Sequence, residues 1–340
     1  MSLAKQRMVN TAANVSVSSD SAEAESSALP LVGIIVVHYQ KLEDTLRCLE
    51  SLKELEYSNA FVIVVDSASP NGSGYVLCDR FNGNGIEVIV TPDNQGFAAS
   101  NNVGIKRART LGAEYVWLLN ADTSVEKAAL NELVMSAERY PNAGAWGSKI
   151  LYGETENSAD SSPEKRIWSA GGILDFQKQS VQMRGSDELD RGQWDKESSC
   201  DYLPGCSMLI SCSALNSFGY MPEEYFMYFE ETAWCTRMRK LGFDLRYVPQ
   251  SVVYHHFDDQ KTQSPFNIYY YNRNQLIFWF RSGTLQQKLA LFFRTLVFRL
   301  PRVVADFFRA ENQFQRNIFR AHLLSTLDFL GLRRGKRYRF

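Results

Sequence analysis

Short unbroken runs of hydrophobic residues alternate with amphipathic segments through the first part of the chain. The run at residues 31–39 is rich in β-branched side chains, which is typical of a strand buried on both faces of a parallel sheet. Shorter runs follow at residues 61–65, 86–90 and 115–119, and a turn is predicted at residues 67–74, after the first of these. Between them, residues 42–55 carry leucines at helical spacing, and residues 101–111 are helix-like. This alternation predicts a doubly wound α/β domain with right-handed crossovers.

The pattern is less regular after Lys149, where polar loops separate shorter elements. We predict a loop at residues 151–165 and a mobile, highly charged segment at residues 188–199. The shorter elements are a segment with paired glycines at 167–176, a turn and strand at 202–212, a helix from Glu230 to Gly242, strand-like pieces at 243–254 and an aromatic-rich helix at 267–280. Residues 289–308 are apolar, carry regularly spaced arginines and are interrupted by Pro301. They predict either a pair of helices lying on a membrane surface or a helical cap packed on the domain.

Composition and charge divide the chain into three parts. Residues 1–30 contain no aromatic side chain and are expected to form a disordered leader. Residues 31–265 are expected to form the α/β domain, and residues 266–340 a basic, aromatic-rich helical extension. Residues 281–340 hold thirteen Lys and Arg against three Asp and Glu, although the formal net charge of the whole chain is -1. A basic extension on an acidic body points to an anionic partner, which leaves membrane lipid, nucleic acid and another protein open.

The cysteines and the apolar runs favour a cytoplasmic protein. None of the six cysteines forms a CxxC pair, so we expect free thiols in a reducing compartment. Residues 1–29 lack the apolar core of a signal peptide, and no run of about 18 uninterrupted apolar residues predicts a spanning helix. We therefore expect a cytoplasmic location, with the basic extension peripheral at the inner face of the cell membrane.

Polar residues follow two of the predicted strands. Asp66 comes after the second strand, and Asn120 and Asp122 come after the fourth. Open α/β sheets bind ligands at the carboxyl ends of their strands, so Asp122 is a candidate to meet a metal or a phosphate, although it would also cap a following helix. The Asn/Gly-rich turn within residues 91–105 can set backbone N–H groups against a ligand. It contains neither GxGxxG nor GxxxxGK[ST], which argues against a dehydrogenase or a P-loop NTPase.

Two further pairs of titratable residues stand at the ends of predicted elements. Glu230 and Glu231 open a predicted helix, where acidic residues also simply stabilise the helix N-terminus. His255 and His256 end a predicted strand and are followed by two aspartates. Both pairs are compatible with a functional site and with a structural role.

Six segments are similar, in the same order along the chain, to segments of one known family. They are VIVVDSAS (62–69), DNQGFAASNNVGI (93–105), WLLNADTSV (117–125), IWSAGGILD (167–175), EEYFMYFEETAWCTRMRKLGF (223–243) and YNRN (271–274). Over residues 31–280 the chain resembles family-2 glycosyltransferases of the GT-A fold, in particular the rhamnosyltransferase-like branch. The resemblance implies a Rossmann-like, mainly parallel central sheet flanked by helices, followed by a C-terminal helical extension.

The resemblance also implies a site for a nucleotide sugar and a metal. Asp66 would hydrogen-bond the base of a nucleoside diphosphate. Asp122, in the position of the family's DxD-type motif, would bind Mn²⁺ or Mg²⁺. His255 is the favoured second metal ligand, with His256 as its rival. The full set implied for the nucleotide sugar is His38, Tyr39, Asp66, Asn94, Gly96, Asn102, Asn120 and Asp122.

The catalytic base implied by the resemblance is Glu231, which stands where the family has an Asp; Glu230 beside it is a second catalytic candidate. Glu in place of Asp adds one methylene of reach. Ala233 replaces a further Asp of the family, and Asn120 replaces an acidic first position of the metal motif. These departures leave open a non-catalytic homologue that binds nucleotide sugars or acts as a scaffold.

The activity implied is an inverting, metal-dependent transfer of a sugar from a nucleoside diphosphate to a hydroxyl group. The acceptor would be a cell-surface glycan or a lipid-linked glycan, and rhamnose is favoured as the sugar by the resemblance alone. The chain would then serve polysaccharide biosynthesis at the cell envelope. A nucleotidyltransferase would need a Gly/Lys/Arg-rich loop after the first strand, which residues 38–45 do not provide. No known nucleic-acid module surrounds the basic tail, so no nucleic-acid partner is expected.

Overall fold

The computed structural model describes residues 29–153, 165–256 and 264–337. The strands are β1 Val32–His38, β2 Ala60–Asp66, β3 Ile86–Val90, β4 Tyr115–Asn120, β5 Thr123–Val125, β6 Ala143–Tyr152, β7 Ile167–Ser169, β8 Gly172–Asp175, β9 Ser180–Met183, β10 Ser198–Ser199, β11 Ser207–Ser211 and β12 Asp244–His255. The α-helices are α1 Leu42–Leu52, α2 Ser73–Phe81, α3 Phe97–Thr110, α4 Ala129–Arg139, α5 Leu215–Phe218, α6 Glu230–Lys240, α7 Pro265–Ser282, α8 Leu285–Arg294, α9 Leu300–Phe308 and α10 Gln313–Leu330.

A mixed central sheet organises these elements, in the order β10-β12-β6-β11-β4-β1-β2-β3. Strands β4, β1, β2 and β3 are parallel, as are β6 and β12. Strand β11 joins the two parallel blocks because it runs antiparallel to both β4 and β6. The short strands β5 and β7 pair with β12 and β6, and β8 and β9 form a separate hairpin. The mainly parallel α/β sheet predicted from the alternation of strands and helices is confirmed.

Both faces of the sheet are covered, which explains why its strands are apolar at nearly every position. On β4, Val116 and Leu118 pack in one core with helices α3, α6 and α7. Trp117 and Leu119, which point to the other face, pack with α1 and α4. Helix α7 contributes Leu276–Trp279 of its sequence to the first core, so the extension shares the core of the sheet.

The C-terminal helices follow the predicted apolar pattern with one difference at their junction. Residues 289–308 were expected to be a helix pair broken at Pro301. A π-helical turn, Thr295–Arg299, joins α8 to α9, and Pro301 follows it in the first turn of α9. A proline lacks the N–H that would continue the bonding of a regular helix, so the irregular turn stands where such a break is expected. Among the described residues, no helix combines the length and the apolarity that crossing a bilayer requires.

Three local predictions differ from the structure. The charged segment 188–199, predicted to be mobile, is held against the sheet, because the buried ammonium group of Lys149 pairs with Asp190 at 3.0 Å and with Asp195. The turn predicted at residues 67–74 passes directly into helix α2. The strand pieces predicted at 243–254 are one strand, β12, with a bulge opposite β6. The leader up to residue 28, most of the predicted loop 151–165 and the aspartates after His256 lie outside the described residues.

Candidate active site

The carboxyl ends of three parallel strands form the floor of the site. In the register of the sheet, His38 at the end of β1 pairs with Asp66 at the end of β2. On its other side β1 pairs with β4, so that Val37 lies beside Asn120. The polar residues predicted at strand ends therefore meet at one edge of the sheet, where open α/β folds bind their ligands.

Asp122 meets His255 because two distant strands pair. Asp122 immediately precedes β5, which runs antiparallel to β12 and places His255 opposite Thr123. Nε2 of His255 lies 3.2 Å from Oδ1 of Asp122, and Nζ of Lys41 lies 3.7 Å from Oδ2. Burial alone would raise the pKa of Asp122, but the hydrogen bond and charge of His255, together with Lys41, lower it to about 2. Asp122 is therefore an ionised carboxylate beside an imidazole.

His256 has different neighbours from His255. Its Nε2 lies 2.9 Å from the hydroxyl of Ser124, and its backbone N–H donates to the carbonyl of Asp122 at 2.8 Å. The imidazole of His255 instead packs edge-on against Trp168, with ring centroids 4.8 Å apart. Of the two histidines named as candidate metal ligands, His255 is the one whose ring contacts the Asp122 carboxylate.

The donor atoms around Asp122 fit a hard divalent ion that keeps open positions for a ligand. No group of three or more His, Cys, Asp or Glu able to hold a metal occurs in the described part of the chain. Asp122 and His255 are thus a pair of candidate ligands, and Mn²⁺ or Mg²⁺ commonly completes such a set with phosphate oxygens and water. Oδ1 of Asn120 is buried and accepts no hydrogen bond from the described residues, so it can accept one from a metal-bound group.

His38 and Asp66 are buried within the floor of the site. His38 is fully buried, and its ring nitrogens lie 2.7 Å from the Thr45 hydroxyl and 2.8 Å from the Ser73 hydroxyl. The carboxylate of Asp66 accepts hydrogen bonds from the backbone N–H and the hydroxyl of Ser69. Burial lowers the pKa of His38, and the charge of Asp66 opposes this only in part, so the imidazole is neutral at pH 7.

Of the remaining residues predicted to bind the nucleotide, Tyr39 and Asn94 are the more accessible. The side chain of Tyr39 is 44% exposed, whereas Asn94 is half-buried and accepts the backbone N–H of Gly96 at 2.9 Å. Asn102 is buried, and its amide holds the segment before α6 through Met221 and Glu223 at 2.8–3.0 Å. The polar atoms of Asn102 are therefore engaged inside the protein.

Glu230 and Glu231 open helix α6 in a poorly hydrated place. Glu230 is 3% exposed and Glu231 is partly exposed, and Oε2 of Glu230 accepts no hydrogen bond from the described residues. Burial raises the pKa of Glu230 well above its usual range, and repulsion by Glu231 raises it further. Burial also raises the pKa of Glu231 to about 7, although the N–H groups of Glu231 and Thr232 oppose the change. A carboxylate with a pKa near the working pH is suited to accept a proton.

The turn before β11 connects the two parts of the site. A Cβ atom on Gly205 would lie 3.7 Å from Cβ of Glu231, so the start of α6 packs directly on this turn. The next residue, Cys206, accepts the backbone N–H of Asn120 at 3.0 Å. Glu231 and the Asn120–Asp122 end of β4 are therefore neighbours across one short turn.

Several residues of the site were not anticipated from the sequence. Lys41 could have been suspected as a basic residue directly after the first strand. Ser69 and Trp168 lay inside the resembling segments 62–69 and 167–175, but their contacts depend on how the sheet folds. Asn274 lay inside the YNRN resemblance, but its role in holding the segment before α6 is visible only in three dimensions.

Comparison with known proteins places the chain in a family. Residues 33–209 match the family model described as glycosyl transferase family 2. The chain belongs to glycosyl transferase family 2. This family-2 glycosyltransferase is 23% identical over 324 residues to the dTDP-rhamnosyl transferase RfbF of Shigella flexneri, a match that covers 91% of the chain and 98% of the relative. It is 26% identical over 241 residues to the N-acetylglucosaminyl-diphospho-decaprenol L-rhamnosyltransferase of Mycobacterium tuberculosis, covering 68% of the chain and 76% of the relative.

Solved structures support the fold of this family-2 glycosyltransferase. The mannosyltransferase PcManGT of Pyrobaculum calidifontis, in complex with GDP-Man and Mn²⁺, matches with a TM-score of 0.53 and 14% identity over 89% of the chain and 88% of its own. GalNAc-T7, with UDP, GalNAc and Mn²⁺, matches with a TM-score of 0.56 and 12% identity over 90% of the chain and 57% of its own. The predicted GT-A fold is thereby confirmed, and the chain is a glycosyltransferase.

Proposed function

We propose that this glycosyltransferase moves a sugar, with inversion, from a nucleoside diphosphate to a hydroxyl group of a glycan or lipid-linked glycan. The observation that carries the proposal is that the 205–206 turn packs against the start of α6, which carries Glu231, and bonds to the end of β4, which leads to Asp122 and its partner His255. Rhamnose is the favoured sugar and surface-polysaccharide biosynthesis the favoured setting, because RfbF and the mycobacterial relative are both named as rhamnosyltransferases.

The donor side of the proposed site is the sheet edge. Asp122 and His255 would hold Mn²⁺ or Mg²⁺, which when bound neutralises charge on the diphosphate leaving group. The buried amide oxygen of Asn120 would accept a hydrogen bond without adding charge to the site. Tyr39, Asn94 and Gly96 would line the nucleotide, while His38, Asp66 and Asn102, which are buried and whose polar atoms contact other residues of the chain, would position that lining.

Glu231 would act as the general base of a single displacement. Its carboxylate takes the proton of the acceptor hydroxyl as that oxygen forms a bond to the anomeric carbon. The bond between the anomeric carbon and the diphosphate oxygen breaks on the opposite face, which inverts the anomeric centre. The nucleoside diphosphate leaves with the bonding electron pair, and Glu231 later releases its proton to water. The negative charge of Glu231 raises the pKa of buried Glu230, which favours the neutral form of Glu230 beside the base.

The first test combines a donor screen with a transfer assay. A ligand that binds only the native state raises its stability, by about 2.7 kcal/mol at a concentration of 100 times Kd. We expect dTDP-rhamnose to raise Tm more than UDP- and GDP-sugars do, and only with Mn²⁺ or Mg²⁺ present. With a lipid-linked saccharide the protein should then release dTDP. Binding without release of nucleotide on any acceptor would instead support a non-catalytic, scaffolding homologue, which the Asn at position 120 and Ala233 also suggest.

The C-terminal helices would bring the site to an anionic membrane surface. Leu289, Phe293 and Phe298 are 61–65% exposed on the face formed by α8 and the π-helical turn. Exposed arginines, among them Arg302 and Arg309, accompany them on and after α9. An apolar face bordered by cations suits a helix lying in the headgroup region of anionic lipids, and it would suit a lipid-linked acceptor.

We expect the double variant Leu289→Glu/Phe293→Glu to bind anionic vesicles at least about tenfold more weakly than the wild type, because it removes two apolar anchors. Co-sedimentation with phosphatidylcholine vesicles, with and without phosphatidylglycerol, measures this. Met135→Glu is the matched control, since Met135 is 51% exposed on α4, away from the extension. Equal sedimentation of the double variant and the wild type would contradict membrane binding through this face.

A further inference from the structure

A strained backbone segment presents Glu231. Residues 226, 228 and 229 are all aromatic and have φ values of 71°, 68° and 70°, in a region that side chains with a Cβ rarely adopt. Phe226, with ψ at -54°, has the dihedral angles of a γ-turn of the strained kind. Each such residue costs on the order of 1–3 kcal/mol and persists only where its surroundings hold it. The segment 225–229, called here the support segment, therefore needs a structural clamp.

Asn274 supplies the centre of that clamp. This residue of α7 is fully buried, and its side-chain N–H₂ group donates to three carbonyl groups of the support segment. The distances are 2.7 Å to Tyr225, 2.7 Å to Met227 and 3.1 Å to Tyr228. A single amide thus holds the backbone on both sides of the γ-turn-like Phe226.

Arg273 ties the support segment to the C-terminal chain. Its guanidinium, 1% exposed, donates to the carbonyl of Tyr225 at 3.0 Å, to the carbonyl of Gly335 at 2.7 Å and to the side chain of Asn274 at 2.9 Å. The backbone N–H of Gly335 in turn donates to the carbonyl of Glu224 at 2.7 Å. The chain after α10 therefore packs back against the residues that lead to Glu231.

The nucleotide side of the site touches the same segment. The backbone N–H of Phe97 donates to the carbonyl of Phe226 at 2.9 Å. A Cβ atom on Gly96, whose φ is 100°, would stand 2.1 Å from that carbonyl oxygen, so only glycine permits this approach. Lys336 donates to the carbonyl of Asn94 at 2.7 Å. This bond connects the C-terminal chain to the loop before α3, which carries Asn94.

We propose that Asn274 and Arg273 are positioning residues of the transfer reaction, which hold the support segment so that Glu231 faces the acceptor. Gly335 and Lys336 complete the clamp by joining it to the loop that carries Asn94. The proposal rests on the proposed function, because it takes Glu231 as the base. A plain packing role would not require one amide to serve three carbonyls of the same strained segment.

The test compares Asn274→Asp with the matched control Asn272→Asp. The first substitution keeps the size of the side chain but removes both N–H donors of the clamp. Asn272, two residues along α7, contacts the Ile268 carbonyl and Arg299 instead. We expect kcat of Asn274→Asp to fall about 10²-fold, because displacement of a reacting group by about 1 Å has that effect, with the Kd of the nucleoside diphosphate unchanged. Asn272→Asp should keep the wild-type kcat.

Hydrogen exchange provides a readout that does not depend on turnover. Amides of residues 225–231 should exchange faster in Asn274→Asp than in the wild type, while those of β1 and β4 keep their protection. Unchanged kcat and unchanged exchange in this peptide would overturn the proposal. The proposal would also be overturned if Asn274→Asp weakened nucleotide binding by the same factor as it lowered kcat and if amides exchanged faster throughout the protein. Both results together would describe a residue with a merely structural role.

Arg273→Lys keeps the test decisive where Asn274→Asp does not fold. Lysine retains the charge but cannot reach Tyr225 and Gly335 together, so we expect the same loss of kcat at unchanged nucleotide affinity. Wild-type kcat in this variant would overturn the proposal. A wild-type protein that transfers no sugar would refute the proposed function instead, and the exchange of residues 225–231 would still decide whether Asn274 clamps them.

Discussion

Glu231→Gln should reduce sugar transfer about 10²–10⁴-fold and leave the affinity for the nucleoside diphosphate unchanged, because glutamine cannot accept the acceptor's proton. The wild-type rate should also depend on pH. Burial raises the pKa of Glu231 to about 7, so kcat should fall as the pH decreases through 7 and the carboxylate is protonated. Steady-state kinetics from pH 5.5 to 8.5 measure both effects. The residual activity of Glu231→Gln should not show the decrease of kcat at acidic pH.

Glu230→Gln is the matched variant for this prediction. Glu230 is the more deeply buried member of the pair, and burial and repulsion by Glu231 raise its pKa, so glutamine imitates the neutral form that these effects favour. We expect a loss smaller than that of Glu231→Gln, and kcat should decrease at the same acidic pH as in the wild type, since the neutral form of Glu230 adds no charge beside Glu231. Equal losses in the two variants would reject the assignment of Glu231 as the base.

Asp122→Ala should lower metal-dependent transfer about 10³-fold, because the carboxylate is the ionised member of the proposed ligand pair. It should also abolish the gain in nucleoside diphosphate affinity that Mn²⁺ gives the wild type. Asn120→Ala should weaken transfer less, since it removes a neutral hydrogen-bond acceptor. Calorimetric titration with and without Mn²⁺ measures the coupling between metal and nucleotide.

Asp44→Ala controls for the neighbouring lysine. Lys41 lies 3.4 Å from Asp44 and 3.7 Å from Asp122, so both substitutions remove one carboxylate from the same ammonium group. Only Asp122 also contacts His255, and Asp44→Ala should therefore keep the Mn²⁺ effect. Equal losses in Asp122→Ala and Asn120→Ala would refute the different roles given to them.

Local pattern was sufficient for the parallel part of the sheet and for the placement of Asp122. The runs that became β1, β2, β3 and β4 are apolar because both faces are covered, and a polar residue after such a run marks the strand end. The resemblance to family-2 glycosyltransferases extended this to the GT-A fold, which the solved structures bear out. The residue roles that it implied remain predictions for the variants above.

Contacts made across long stretches of sequence could not be predicted in this way. His255 reaches Asp122 only because β5 pairs with β12, and no local pattern sets that pairing. The positive φ values of Tyr228 and Phe229 contradict the preferences of aromatic residues, so no propensity would suggest them. The tertiary contacts of Asn274 override those preferences, which is common where a fold positions a functional group.

The buried carboxyl group of Glu231, at the start of α6, also makes the stability of the fold depend on pH. An unfolded glutamate loses its proton near pH 4.3, whereas burial keeps Glu231 protonated up to a pKa of about 7 in the folded state. Between these values the folded protein binds more protons than the unfolded chain, so the free energy of unfolding decreases as the pH rises. The contribution of Glu231 to stability is therefore largest below this window, whereas its role as a base requires a pH above it.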